Sequence, residues 1–248
     1  MSTITRDKHG DRDYFAKLLE VRCQQQTNYL GRLAVEDNGG TQRRQLGYQL
    51  FNSAFSAFQA AYALGNDRRG LLPFAEAVAR SAVVNAELAR PIAAGAFPIG
   101  RRDMPFLEGY MDALHTLAIG VLCGLVQPMF SDLCDALNHR GEDLLLEHLM
   151  RQTPSGERDP GTLLYPAVFG PLAAAFVATS AEERAAAIRS YMKVYYRNMK
   201  SCPWHNRHLR KDAGYSGYWA WEAAAVAKLL HINEAALAGL DYYPYGLS

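Results

Sequence analysis

The chain carries almost no net charge, because 26 Lys and Arg stand against 25 Asp and Glu and leave +1. Such a balance provides no overall field to hold nucleic acid or an anionic membrane surface, so a charged partner has to meet a local patch. Cysteine is sparse. Its four copies, at positions 23, 123, 134 and 202, form neither a CxxC pair nor the dense, even spacing of a disulfide framework, and they read as reduced core thiols. An apolar leader is missing too: MSTITRDKHGDRDYF is polar and charged, which argues against export by a signal peptide. The apolar stretch Ala113–Val126 contains His115 and ends at Gln127-Pro128, too short to cross a bilayer but suited to a buried helix. A cytoplasmic protein is the expectation. Strand alternation is nearly absent, as are fixed-period repeats and low-complexity tracts.

Helical spacing fills the space these absences leave. Leu46, Leu50, Phe51, Ala54, Phe55, Phe58, Ala61, Tyr62 and Leu64 recur every three or four residues, and Gly65 follows where a left-handed terminal residue is wanted. Before that helix, Tyr14, Phe15, Leu18, Leu19, Tyr29, Leu30 and Leu33 predict another, ending near Asn38-Gly39-Gly40. After it, Pro73 at a start and Pro91 at an end bracket a third. Further helices are expected near 105–126, 129–150, 163–178, 181–200 and 217–231. The fold class is therefore all-α, a bundle of about eight or more helices without a significant sheet. The hydrophobic content of 49% is ample for a core. The turn-rich TPSGERDPG divides an N-terminal helical region, 1–152, from a C-terminal one, 162–248, the two sharing one core.

Charge is uneven along the chain. Between Asp112 and Asp159 eight acids face three bases, a balance of −5, whereas from Gly161 onward nine bases face six acids. The acidic middle reads either as a solvated helix face or as a docking face for a basic protein, with steering that weakens as salt rises.

Three groups of residues invite a chemical reading. In SCPWHNRH, Cys202, His205 and His208 are soft metal ligands within seven residues, the basis for an alternative reading as a small metal-dependent hydrolase; no second Cys/His cluster completes a four-ligand site, and Pro203 breaks a regular helix. Glu142, Asp143, Glu147 and His148 lack the repeated Glu-x-x-His of a di-iron bundle. No Gly-rich loop follows a strand and no GxSxG occurs. Segment 189–211 interleaves Arg189, Lys193, Arg197, Lys200, Arg207, Arg210 and Lys211 with Tyr191, Tyr195, Tyr196 and Trp204, as a nucleic-acid binder would. Tyr191, Val194, Tyr195 and Met199, however, are spaced as the core stripe of an amphipathic helix.

The densest segment is GYSGYWAWEAAAVAKLL, residues 214–230. A helix starting near Ser216 or Gly217 places Ala220, Ala223, Ala224 and Ala227 on one stripe that admits close packing. Glu222 then lies beside the Trp219 row as a buried or half-buried carboxylate, for which an Arg or Lys of 189–211 is the expected partner.

Taken in order, YMKVYYRNMKSCPWHNRH, GYSGYWAWEAAAVAKLLHIN and DYYPYGL resemble the C-terminal signature of the PoNi-type immunity proteins. The matching positions are Trp204 and His208, then Gly217, Tyr218, Trp219, Trp221, Glu222, Ala223 and Ala224, then Tyr242, Tyr243 and Pro244. Trp221 departs from the Phe most often expected there. LGYQLFNSAFSAFQAAYALG and the first helices are similar to the family's N-terminal region more loosely. The resemblance implies an all-helical cytoplasmic protein that binds and blocks a cognate antibacterial toxin, a DNase delivered by type VI secretion or a related route. It implies no catalytic residue, cofactor or metal, and no direct contact with nucleic acid or membrane. An acidic patch mimics phosphate, so contacts with a DNase are expected at Asp132, Asp135, Glu142, Asp143 and Glu147, residues carried by no family motif. The signature, rich in aromatics and small residues, reads as fold-defining core.

Overall fold

The computed structural model of the chain describes residues 5–35, 40–89, 107–137, 141–151, 161–209 and 214–248. They form ten α-helices and, among the described residues, no strand. The expected end of the first helix, Pro91 and the linker 153–160 lie outside the described residues.

Helices α1 (Arg12–Val35) and α2 (Gly40–Ala63) pack together, and α2 packs in turn on α3 (Arg68–Ala89). Gly65 ends α2 as expected, with φ +92°: its N–H donates to the Tyr62 carbonyl at 2.9 Å and that of Asn66 to Ala61 at 3.3 Å, closing a Schellman turn. The third helix starts earlier than Pro73 predicts. Asp67 Oδ1 accepts the Gly70 N–H at 2.8 Å and caps the new turn, leaving Pro73 inside the helix.

Helix α4 (Leu107–Cys123) is the central element, against α3, α5 (Met129–Leu137), α6 (Leu144–Met150) and α10 (Trp221–Leu229). Its residues from Leu117 to Cys123 are buried, as an apolar run around the whole helix requires. Gly124, with φ +71°, closes it; there the Arg68 side chain fills the space a Cβ would need and donates to the Cys123 carbonyl at 3.2 Å.

The single helix expected over 129–150 is two. Gly141 adopts φ +78° and Asp143 caps α6, so the leucine periodicity that runs on in phase is interrupted by local turn chemistry. Helices α7 (Pro166–Val177) and α8 (Ala181–Met192) form a pair, and Ser180 with Glu183 makes a capping box at the start of α8. The helix expected to run to 200 stops at Met192; a four-residue turn of helix, α9 (Tyr195–Asn198), follows. One contiguous cluster of buried apolar side chains runs from Phe51 on α2 to Leu247 near the C-terminus, and a smaller one joins Phe15 to Ala60 and Ala63.

Candidate functional site

The segment 214–230 is a non-helical strap followed by a short helix, which begins later than the Ser216 or Gly217 expected. Gly214–Ala220 has no helical pairing, and α10 begins only at Trp221. The strap's backbone polar groups are met from elsewhere. Gln59 of α2 pairs with both faces of Gly217, accepting its N–H at 3.3 Å and donating to its carbonyl at 3.4 Å, across 158 residues of sequence. The Ala220 N–H donates to the Tyr242 carbonyl at 2.9 Å. Gly217 is required by space: a Cβ there would come within 2.8 Å of Trp219 Cδ1 and 3.0 Å of the Tyr215 hydroxyl. Trp219 and Trp221 both meet Tyr62 edge-on, at 5.0 Å between ring centroids, so the strap is stapled to α2 by aromatic contacts as well.

Glu222 is completely buried. Its Oε1 accepts the Tyr191 hydroxyl at 2.5 Å, and its Oε2 stands 3.0 Å from His115 Nε2, off the line of a straight hydrogen bond. The expected partner, an Arg or Lys of 189–211, is therefore replaced by His115 of α4 and Tyr191 of α8. His115 in turn stacks on Phe55, 6.0 Å between ring centroids and 5° between planes. Burial and then the Glu222 charge hold the Tyr191 hydroxyl well above its ordinary range, so it stays protonated as the donor. The Tyr195 hydroxyl, also enclosed by the core, is raised by the same two causes.

The remaining signature residues close the surroundings. The His208 N–H donates to the Tyr218 hydroxyl at 3.0 Å, and His208 Nδ1 lies 2.8 Å from that oxygen. Tyr242 stacks on Tyr196 at 4.8 Å, Trp204 packs on Tyr195 at 6.5 Å, and Tyr243 and Pro244 are buried. Glu234 holds the C-terminus, accepting from the N–H of Gly246 at 3.0 Å and the Ser248 hydroxyl at 2.6 Å.

Residues 141–247, the part that contains the strap, Glu222 with Tyr191 and the closing tail, match the family model described as PoNe immunity proteins (PoNi), C-terminal. The C-terminal region is similar to that of the PoNi-type immunity proteins. No curated protein matches the chain. Among solved structures, protein PA2201 from Pseudomonas aeruginosa is similar at 18% identity and a TM-score of 0.68, over 98% of this chain and 89% of that one. At that identity the likeness is one of fold, and it extends to the N-terminal helices outside the PoNi C-terminal match.

The acids of the −5 segment divide into two kinds. Asp132 and Asp135 lie exposed, three residues apart on α5, and Glu142 is half-buried. Asp143 and Glu147 are buried. Asp143 Oδ1 accepts from the N–H groups of Leu145 and Leu146 at 2.9 and 3.0 Å and from the Tyr110 hydroxyl at 3.0 Å, and its Oδ2 accepts the Leu164 N–H at 2.8 Å. Glu147 accepts the Gly141 N–H. These two carboxylates hold α6 and the chain on either side of it, so an outward role for them is corrected to an internal one. Burial, followed by the Asp143 charge, raises the Tyr110 hydroxyl well above its ordinary range.

Cys202, His205 and His208 of the loop do not converge on one point. Cys202 is buried in the core, His205 packs on Tyr196 at 4.4 Å, and His208 is held by Tyr218 and His9. Among the described residues no group of three or more His, Cys, Asp or Glu is placed to hold a metal ion. In segment 189–209, Tyr191, Tyr195 and Met199 are buried and Lys193, Arg197 and Lys200 exposed, the amphipathic pattern read from the sequence. No described helix is long and apolar enough to cross a membrane. His115, Gln59 and Tyr110 were not singled out as site residues by spacing. The signal for His115 was its place as a lone polar ring in an apolar run.

Proposed function

We propose that this chain is an immunity protein that neutralises a cognate antibacterial toxin by stoichiometric binding in the cytoplasm of the producing cell. The observation that carries the reading is the PoNi C-terminal match over residues 141–247. The toxin is a nuclease, in this reading a DNase delivered by type VI secretion or a related route. A DNase must present a basic surface to its substrate, and a compact acidic face opposes such a surface by charge. Asp132 and Asp135 on α5, with Glu142 nearby in the chain, form the docking face of this proposal. Inhibition requires only that the bound protein cover or distort the toxin's active site, so no catalytic residue enters the mechanism.

The signature positions support the fold and the acidic face supplies recognition. Glu222, His115, Tyr191 and Asp143 are buried in this chain and hold its core, which leaves recognition to the surface. The experiment is protection: sensitive cells expressing the toxin encoded beside this gene should survive when this chain is co-expressed. Equal killing with and without it, at comparable protein levels, would overturn the reading.

A further inference from the structure

A cavity of about 300 Å³ opens between α1, α2, α4 and the segment around Trp204 and Tyr215, on residues that the toxin-docking proposal does not use. Its charged groups are Arg22 of α1, Arg207 of the loop and Asp112 of α4. Asp112 is engaged within the chain, and two guanidinium groups against one carboxylate leave the cavity cationic.

Three features distinguish it from a chance surface dent. Ser56, 8% exposed, is one of the lining residues, and its buried Oγ has no hydrogen-bond partner among the described residues, although such a hydroxyl is normally satisfied. Arg22 Nε is likewise buried without an acceptor among the described residues, where Nη1 donates to Gln25 Oε1 at 2.9 Å. Among the described residues neither donor has an acceptor, so both groups retain hydrogen-bonding capacity beside the cavity. Finally, the aromatic side chains of Phe55 and Trp204 line the same space, and Phe55 is fixed from behind by its stack on His115. The volume is at the lower end of small-molecule sites, which combine apolar walls with a few convergent polar groups.

We propose that this cavity binds a small organic anion, its carboxylate or phosphate head on Arg22 and Arg207 and its apolar body against Phe55 and Trp204. Guanidinium groups suit both head groups, since each presents paired oxygens to a planar fork.

Thermal denaturation of the full chain with inorganic phosphate, phenyl phosphate and benzoate, each at ionic strength matched with chloride, tests the site. A saturable rise in Tm is expected with phenyl phosphate or benzoate, with the aromatic ligand binding roughly tenfold more tightly than inorganic phosphate because its ring is buried. The stronger of phenyl phosphate and benzoate identifies the head group. Arg207→Ala and, separately, Arg22→Ala should each weaken that binding about tenfold, the loss of one charge-assisted pair, while leaving Tm without ligand unchanged. Either variant suffices, because both residues stand on half-buried surface outside the core. No saturable shift with any of the three at millimolar concentration, or an identical shift in parent and variants, overturns the proposal.

Discussion

His115 Nε2 on α4 stands 3.0 Å from Glu222 Oε2 on α10, and both side chains are shut away from solvent. Tyr191 completes the carboxylate's surroundings from α8. Removing the carboxylate leaves a buried imidazole and a buried hydroxyl without their partner and opens a gap in the core. Glu222→Ala is expected to lower the folding free energy by about 3–5 kcal/mol, the range for breaking a buried polar pair. Glu222→Gln keeps an acceptor for Tyr191 and nearly the same volume, so it should lose less. Urea denaturation measures both. Toxin affinity per folded molecule should be unchanged, and a variant that stays as stable as the parent but loses the toxin would reverse the assignment.

Asp143 and Asp132 belong to the same acidic stretch but should respond oppositely. Asp143→Ala leaves the α6 cap and the Leu164 N–H without their acceptor and isolates the Tyr110 hydroxyl, a loss of about 3 kcal/mol. Asp132→Ala, on the exposed face of α5, should stay within about 0.5 kcal/mol of the parent. Denaturation midpoints of the two variants, compared side by side, check the division.

Gly217→Ala should cost about 1–3 kcal/mol, because the new methyl group meets Trp219 and the Tyr215 hydroxyl at distances that force the strap to shift. The accompanying change in tryptophan fluorescence reports movement of Trp219. An unchanged spectrum with unchanged stability would show that the strap tolerates the methyl.

Alkaline pH should unfold the protein before its core tyrosines ionise. Burial holds the hydroxyls of Tyr110, Tyr191 and Tyr195 well above 10 in the folded chain. The folded state then retains protons that the unfolded state releases. Their contribution is complete below pH 10 and is lost as pH rises beyond it, with a slope approaching roughly 4 kcal/mol per pH unit for three groups. Absorbance at the phenolate band, followed with pH beside circular dichroism, should show these tyrosines titrating only as helicity disappears.

What could be read from the sequence was what neighbours decide. The end of α2 at Gly65 follows from residues within a turn of each other and stands in the structure, as does a helix beginning near 181. That Glu222 is buried followed from its place among tryptophans and alanines. Its partner did not, because the basic residues near it in the chain are not the groups that face it across the core; His115 is. The break between α5 and α6 was hidden by leucines that stay in helical phase on both sides, while Gly141 and Asp143 carried the turn. The same misreading made Asp143 and Glu147 look like surface acids. Counting charge along a sequence shows how many acids a segment holds, not which of them cap helices.

Titration calorimetry with the catalytically inactivated toxin encoded beside this gene tests most directly the proposal that this chain binds a toxin through an acidic face distinct from its signature core. A saturating complex at or below micromolar affinity is expected, weakened by salt, and weakened at least about tenfold by the double variant Asp132→Lys, Asp135→Lys at unchanged stability. No heat of binding and no complex at micromolar concentrations would contradict the account at its root. Binding that is indifferent to both substitutions would move the recognition surface away from α5.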